Sequence, residues 1–244
     1  MYLGKKVSIV FPVYNEKENI RSAIEEFLRH PAVDEIIAVD NNSKDGSDAE
    51  IQKTSARYVL ETKQGYGAAL QRGMREATGD LIVTVEPDGT FRADDLDRLL
   101  VYSRDYDVVF GTRTSRSPVW TGGDPEANMD FLLRIGNWAV AKMLEYLFNG
   151  PSLTDVGCTY KLIHRHAYEK IVHSFTVAGN WFSPEFMLRV LQYRVSVVEV
   201  PVHYGARIGT SKITGKRGKA IVLGFKMIGF ILSERIALWL KPSR

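Results

Sequence analysis

One cysteine, Cys158, is all the sequence contains, so no internal disulfide can staple it and a disulfide scaffold is excluded. A lone thiol fits a reducing compartment. No uncharged apolar run approaches the roughly 18–20 residues of a spanning helix, so no membrane crossing is expected. After Lys5 and Lys6 no apolar stretch of signal-peptide length appears, and no secretion signal is expected. Internal repeats and a dividing linker are missing too. Between Glu199 and Glu234 there is no acidic residue at all.

What is present is ordinary globular composition: 244 residues, 45% apolar and 25% charged, with 32 basic against 29 acidic side chains. At this length roughly 70–75% of the unfolded chain's surface can be buried, enough for one sizeable core. The net charge of +3 is unevenly spread. Val200 to Arg244 holds nine basic residues and one acid, a local charge of +8, so the first 199 residues carry −5. Such a tail suits an anionic partner or a solvated surface. Its pattern favours a lipid headgroup layer. From Lys219 to Leu240 it is strongly apolar, with Lys219, Lys226 and Ser233 recurring every seventh position as one narrow stripe, and with Trp239 near its end. A helix packed on the domain or on a second copy of the chain is the competing reading, which leaves a homo-oligomer open. Nucleic acid is not expected, because aromatic residues interleaved with the basic ones are missing.

Strands and helices alternate through the first half. Val7 to Phe11 reads as a strand ending at Pro12, Lys17 to Arg29 as a helix, Glu35 to Val39 as a strand ending on Asp40, and Tyr58 to Leu60 as a third strand. A helix from Gly65 to Ala77 is expected to close on Gly79 as a left-handed cap. Strand Leu81 to Val85, helix Asp94 to Ser103 and strand Val108 to Phe110 follow. This order implies a mostly parallel sheet with ligands at the carboxyl ends of its strands. Polar residues stand at those ends: Tyr14-Asn15-Glu16, Asp40-Asn41-Asn42-Ser43 and Glu86-Pro87-Asp88. In the second half, Thr114 to Asp130 reads as a mobile loop and Asn137 to Phe148 as a helix. An extended stretch near Tyr160 to Ile163, helix Ser183 to Gln192 and strand Val195 to Val202 complete the pattern.

Two carboxylates at i and i+2 beyond a buried strand, Glu86 and Asp88, can hold a hard divalent cation that also bridges phosphates. Gly65-x-Gly67 lacks the third glycine of a dinucleotide fingerprint, and His164-x-His166 with Cys158 matches no common zinc spacing.

Four blocks in order carry a resemblance: Phe11-Pro12-Val13-Tyr14-Asn15-Glu16; Val39 to Ser47; Gly65-Tyr66-Gly67-Ala68 through Ala77-Thr78-Gly79-Asp80; and the acidic pair. Over about the first 115 residues the chain resembles the family-2 glycosyltransferases. Gly111-Thr112-Arg113, Leu153 to Lys161 and Arg207-Ile208-Gly209-Thr210-Ser211-Lys212 resemble the polyprenyl-phosphate branch, which includes the dolichyl-phosphate mannose synthases. The resemblance implies an α/β, GT-A type nucleotide-diphospho-sugar transferase fold, with the catalytic domain over 1–215 and the amphipathic helical tail over 216–244.

It also implies roles. Pro12, Tyr14, Glu16, Val39, Asp40 and Asn41 would contact the nucleotide, with Asp40 accepting from the base. The loop from Gly65 to Ala68 would let backbone approach the nucleotide. Asp88 would ligate Mg²⁺ or Mn²⁺ against the diphosphate, with Glu86, Pro87 and Thr90 beside it. The first acid is Glu rather than Asp, a departure from the family pattern, and Thr90 stands where glutamine is common.

The acceptor decides the remaining chemistry. A hydroxyl acceptor needs a carboxylate base, for which Asp155 and Glu185 are candidates. A polyprenyl monophosphate is already largely ionised at pH 7 and needs cations instead, which Arg113, Arg134, Arg207 and Lys212, with Ser211, would supply. The expectation is an inverting, cation-dependent hexosyltransferase. It would take a UDP- or GDP-sugar to a polyprenyl phosphate, peripherally on the cytoplasmic face of a membrane. Its rivals are a hydroxyl-acceptor enzyme of the same fold and a non-catalytic sugar-nucleotide-binding scaffold.

Overall fold

Val7–Val13 forms strand β1 and is buried at every position, as expected of a strand covered on both faces. Its period-two alternation divides the core: Val7, Ile9, Phe11 and Val13 join one apolar cluster and Val10 the other. The strand runs two residues beyond its expected end, through Pro12. Even-numbered residues of β1 face the fourth strand, and that ladder stops where Val10 O accepts from Val85 N at 3.1 Å. The N–H that Pro12 lacks would therefore have had no strand to meet.

The computed structural model describes residues 1–114, 131–205 and 217–240. After β1 come α1 (Ile20–Leu28), β2 (Glu35–Asp40), α2 (Ser47–Gln52), β3 (Arg57–Leu60), α3 (Tyr66–Glu76) and β4 (Leu81–Thr84). A 3₁₀ turn at Ala93–Asp95 leads into α4 (Leu96–Tyr102) and β5 (Val108–Thr112). The second half contributes α5 (Phe131–Phe148), β6 (Lys161–His164), α6 (Arg165–Ile171), α7 (Phe182–Gln192), β7 (Val197–Pro201) and α8 (Arg217–Leu240). The expected loop over 115–130 lies outside the described residues; Thr114 itself is buried.

The strands make one sheet in the order β3-β2-β1-β4-β6-β5-β7. All neighbours are parallel except β6, which runs antiparallel to both β4 and β5. Helices α1, α2 and α4 cover one face, and α3, α5, α6, α7 and α8 the other.

Two short helices, α2 and α6, were not expected, because six or seven residues are too few to show helical periodicity. Gly79 is not a left-handed cap, since its φ is not positive. Glycine is required there for proximity: a Cβ would sit 2.5 Å from Ser8 Oγ and 2.8 Å from Lys6 O.

Helix α8 has two apolar faces. Ile231 is fully buried, and Met227, Ile228 and Phe230 pack on the core beside it. Roughly opposite, Val222, Phe225, Leu232, Ile236 and Trp239 are exposed. No helix among the described residues is long and apolar enough to cross a membrane.

Candidate active site

The sheet reverses its direction of growth at β1, whose neighbours are β2 and β4, and a cleft of about 250 Å³ opens at the carboxyl ends of these three strands. Such a reversal leaves a crevice because the connections diverge to opposite faces. The lips are stitched together by short polar side chains. Asn15 and Asn42 take left-handed backbone conformations (φ 53° and 63°), which asparagine tolerates. Asn15 N donates to Ser43 Oγ at 3.0 Å, Lys44 N to Asn15 Oδ1 at 2.8 Å, and Glu16 N to Ser47 Oγ at 2.8 Å.

Eight of the residues expected to hold the nucleotide line this cleft: Pro12, Tyr14, Glu16, Asn41, Gly65, Glu86, Pro87 and Asp88. Asn41 does so as a tie: its Oδ1 accepts from Gly65 N (2.7 Å) and Gln64 Nε2 (3.1 Å), and its Nδ2 donates to Glu61 O and Lys63 O (2.9 Å each). Val39, Asp40 and Ala68 are not among the lining residues. Asp40 is buried, with Oδ1 accepting from Ser43 N at 3.0 Å and Oδ2 from the Tyr58 hydroxyl at 3.2 Å. Its oxygens thus hold the β2 turn and the β3 strand.

The glycines of the Gly65 loop also lie close against another segment of the chain. A Cβ on Gly65 would lie 2.2 Å from Ala178 O, and one on Gly67 2.5 Å from Val177 O. Gly67 N and Ala68 N donate to Gly179 O and Ala178 O at 3.2 and 2.9 Å. The first turn of α3 is therefore capped by residues 177–179, and the close backbone approach is chain to chain.

The acidic pair is built by the turn after β4. Gly89 sits at φ 78°, a conformation that favours glycine, and Asp88 Oδ1 accepts from Thr90 N at 3.0 Å and Thr90 Oγ at 2.5 Å. Thr90 is fully buried behind Asp88 and its hydroxyl is spent on it, so Thr90 orients the carboxylate. Asp88 and Glu86 both face the cleft. Beside them burial pushes the Tyr66 phenol well above its ordinary pKa, and the negative charge of Glu86 adds to this. No third acidic, imidazole or thiolate group joins the pair among the described residues. Two carboxylates suit a hard cation whose remaining ligands are water and a diphosphate.

Arg113, one of the arginines expected at an acceptor phosphate, is paired with a buried acid. Asp155, completely buried, accepts from Arg113 N (3.0 Å), Nε (2.7 Å) and Nη2 (2.8 Å) and from Gly157 N (3.1 Å). Burial would raise its pKa, but the Arg113 charge and hydrogen bonds hold it below the ordinary carboxylate range. The Arg113 guanidinium lies over the Tyr204 ring, 4.9 Å from its centre. Burial raises the Tyr204 pKa; Arg113 opposes this, and the negative charges of Glu86 and Asp88 reinforce it. A Cβ on Gly157 would meet Arg113 Nη2 and Asn137 Oδ1, each at 2.8 Å. One turn before Asn137 on α5 stands Arg134, only 2% exposed, whose Nε and Nη1 find no acceptor among the described residues.

The two acids expected as bases are both committed. Asp155 belongs to the Arg113 pair. Glu185, completely buried, accepts from Thr176 N, Thr176 Oγ and Val177 N at 2.7–2.8 Å and from Arg189 Nη2 at 3.2 Å. Neither lines the cleft. Arg207, Ser211 and Lys212 fall outside the described residues. The chain leading to them is anchored: His203 N and Nδ1 bond Asp95 at 2.6 and 2.8 Å, and Gly205 N donates to Thr90 O at 2.9 Å. Sequence reasoning missed Gln64 and Asn180 on the cleft wall, and gave the Tyr66 side chain no role of its own. Gln64 precedes the glycine block and Tyr66 lies within it, so both could have been read from it. Asn180 carries no local signal.

The chain is similar to known proteins in sequence and in fold. The family described as "Glycosyl transferase family 2" matches residues 8–172. Dolichyl-phosphate hexose transferase of Haloferax volcanii is 27% identical over 240 residues, covering 97% of this chain and 99% of that protein. Undecaprenyl-phosphate 4-deoxy-4-formamido-L-arabinose transferase of Yersinia enterocolitica is 32% identical over 224 residues, covering 85% of this chain and 62% of that protein. The chain thus spans about three-fifths of the length of the latter relative. Among solved structures, glucosyl-3-phosphoglycerate synthase of Mycobacterium tuberculosis, in complex with Mn²⁺, UDP and glucosyl-3-phosphoglycerate, superposes with a TM-score of 0.71 at 18% identity, covering 95% of this chain and 80% of that one. Mannosyl-3-phosphoglycerate synthase of Rubrobacter xylanophilus gives 0.72 at 18% identity, covering 99% and 78%. These likenesses show the fold, the GT-A type of nucleotide-diphospho-sugar transferases.

Proposed function

The chain belongs to glycosyl transferase family 2, and from that premise we propose that it moves a hexose from a nucleotide-diphosphate sugar to a polyprenyl phosphate. The observation that carries the choice of acceptor is Arg134. A buried guanidinium whose Nε and Nη1 find no acceptor among the described residues is costly, and an incoming anion would relieve that cost. The two acids that a hydroxyl acceptor would have called on as base, Asp155 and Glu185, are already consumed in buried ion pairs. An acceptor that arrives ionised needs neither. The Haloferax relative, alike over nearly its whole length, bears the name of a dolichyl-phosphate hexose transferase and supports the same reading.

In this proposal the donor lies in the cleft, with Pro12, Tyr14 and Glu16 on one side, Asn41 and Gly65 on another, and Glu86, Pro87 and Asp88 at the diphosphate. Asp88 and Glu86 would hold a divalent cation, Mg²⁺ or Mn²⁺, which supplies neutralisation of the leaving diphosphate. Asp155 presents the Arg113 fork in one orientation, since two of its five donors are fixed on that carboxylate. Arg113 and Arg134, joined by Arg207, Ser211 and Lys212, would hold the acceptor phosphate in line with the anomeric carbon, where direct displacement inverts configuration. The exposed apolar face of α8, set in a basic tail, would rest in the headgroup layer where such an acceptor lives. Peripheral attachment on the cytoplasmic face is part of the same proposal.

The test is release of UDP or GDP from a panel of sugar nucleotides with Mn²⁺ or Mg²⁺, with and without a short polyprenyl phosphate, for wild type and Arg134→Met. Release that requires the lipid phosphate and falls on the order of 100-fold in Arg134→Met is expected. Removing a buried charge that has no counter-charge among the described residues should at the same time leave the melting temperature unchanged or raised. Release that rises with a hydroxyl acceptor and ignores the lipid would overturn the acceptor assignment.

A further inference from the structure

Glu185 stands in the first turn of α7, completely buried, and looks two ways. Toward the chain before it, Oε1 accepts from Thr176 N and Oγ at 2.8 and 2.7 Å, and Oε2 from Val177 N at 2.8 Å. Toward α8 it meets Arg189 Nη2 at 3.2 Å, and Arg189 in turn grips the Glu234 carboxylate, Nη1 at 2.5 Å and Nη2 at 3.0 Å. Gln192 Nε2 adds a bond to Glu234 at 3.1 Å. Burial alone would lower the Arg189 pKa, yet Glu234 and Glu185 together hold it above its ordinary value.

The segment that Glu185 fixes runs straight into the donor cleft. Val177 O accepts from Gln71 Nε2 at 2.8 Å, and Ala178 O and Gly179 O cap the first turn of α3. Asn180 then lines the cleft. The next residue, Trp181, packs edge-on against Phe230 of α8, with ring centres 4.9 Å apart at 71°. Two separate links, one ionic and one aromatic, therefore join α8 to a single wall of the cleft. The steric demand is strict on the other side, because Gly65 and Gly67 leave no room for the segment to shift toward α3.

We propose that Glu234, Arg189 and Glu185 are positioning residues for the donor nucleotide: docking of α8 sets residues 176–181, and these set Asn180 and the Gly65–Tyr66 turn. The C-terminal helix is thus a structural part of the donor site, in addition to any role of its outer face. This inference rests on the reading of the cleft as a nucleotide-diphosphate site and is independent of the acceptor.

The experiment measures UDP and GDP binding to the full chain by calorimetry with Mn²⁺, without acceptor and well below the melting temperature. Glu234→Gln and Phe230→Leu are expected to weaken the bound nucleotide about three- to tenfold, while Glu234→Asp retains most of the affinity. Unaltered nucleotide affinity in Glu234→Gln and Phe230→Leu, even with lowered melting temperatures, overturns the inference. A second readout needs no variant. Nucleotide is expected to slow amide exchange in 227–235 as well as in 176–181, since coupling is reciprocal. Protection confined to the cleft would overturn it too. Wild type that binds neither nucleotide would overturn the donor reading itself, a failure distinct from the others.

Discussion

Replacing Asp155 by asparagine separates the two roles this residue could play. As a buried ion-pair partner it receives four hydrogen bonds, three of them from Arg113, and both side chains are largely removed from water. The amide of the Asp155→Asn variant would keep the shape but lose the charge and turn an NH₂ group toward donors. Arg113 would be left as a buried cation without its counter-charge. Breaking one side of such a pair costs about 3–5 kcal/mol. For a chain of this length each kcal/mol lowers the melting temperature by about 2–4 °C, so a fall of about 6–20 °C is expected. The pH dependence follows from the sign of the shift. The Asp155 pKa is lower folded than unfolded, so its stabilisation is present above the ordinary carboxylate range and is lost as pH falls through the folded value. Wild type should therefore lose stability in acid more steeply than Asp155→Asn, measured by thermal melts between pH 7 and pH 3. A variant that melts like wild type, keeps its acid profile and yet loses turnover would refute the ion-pair reasoning and restore Asp155 as a base.

Two further outcomes are expected. Cys158 is fully buried and burial pushes its thiol pKa up to about 12, so Ellman's reagent at pH 8 should find no reactive thiol until denaturant unfolds the chain. Gly67→Ala would place a methyl 2.5 Å from Val177 O and 2.7 Å from Phe182 Cβ. Urea melts should show a loss of about 1–3 kcal/mol, and nucleotide affinity should fall with it, because the displaced segment carries Asn180.

The parallel half of the sheet was legible because local pattern and tertiary role coincide there. Each buried strand is a short apolar run ending in polar residues, and a parallel sheet sends those ends to one edge. The acidic pair and most of the cleft wall followed from that rule. Hidden from the same reasoning was the antiparallel insertion of β6, since a strand's direction relative to neighbours distant in sequence leaves no trace in its own periodicity. Gly65 and Gly67 could be recognised as positions of close approach, but not what approaches them; the partner is residues 177–179, over a hundred residues away.

Asp155 and Glu185 make the same point for chemistry. In the sequence each is an acid near a motif, equally fit to be a base or an ion-pair partner. Only folding decides: it brings Arg113 to Asp155 from 42 residues away, it turns the Thr176 and Val177 amides onto Glu185 beside its helical neighbour Arg189, and it excludes water from both acids. By itself the sequence determined the strand and helix order, the family blocks and the charge asymmetry of the tail, because these depend on residue type and spacing. The tertiary structure decided which carboxylates remain at the cleft, that Arg134 is a buried cation, and that α8 touches the segment that carries Asn180 of the cleft wall. Those depend on desolvation and on contacts across the chain, and neither is written in any one segment.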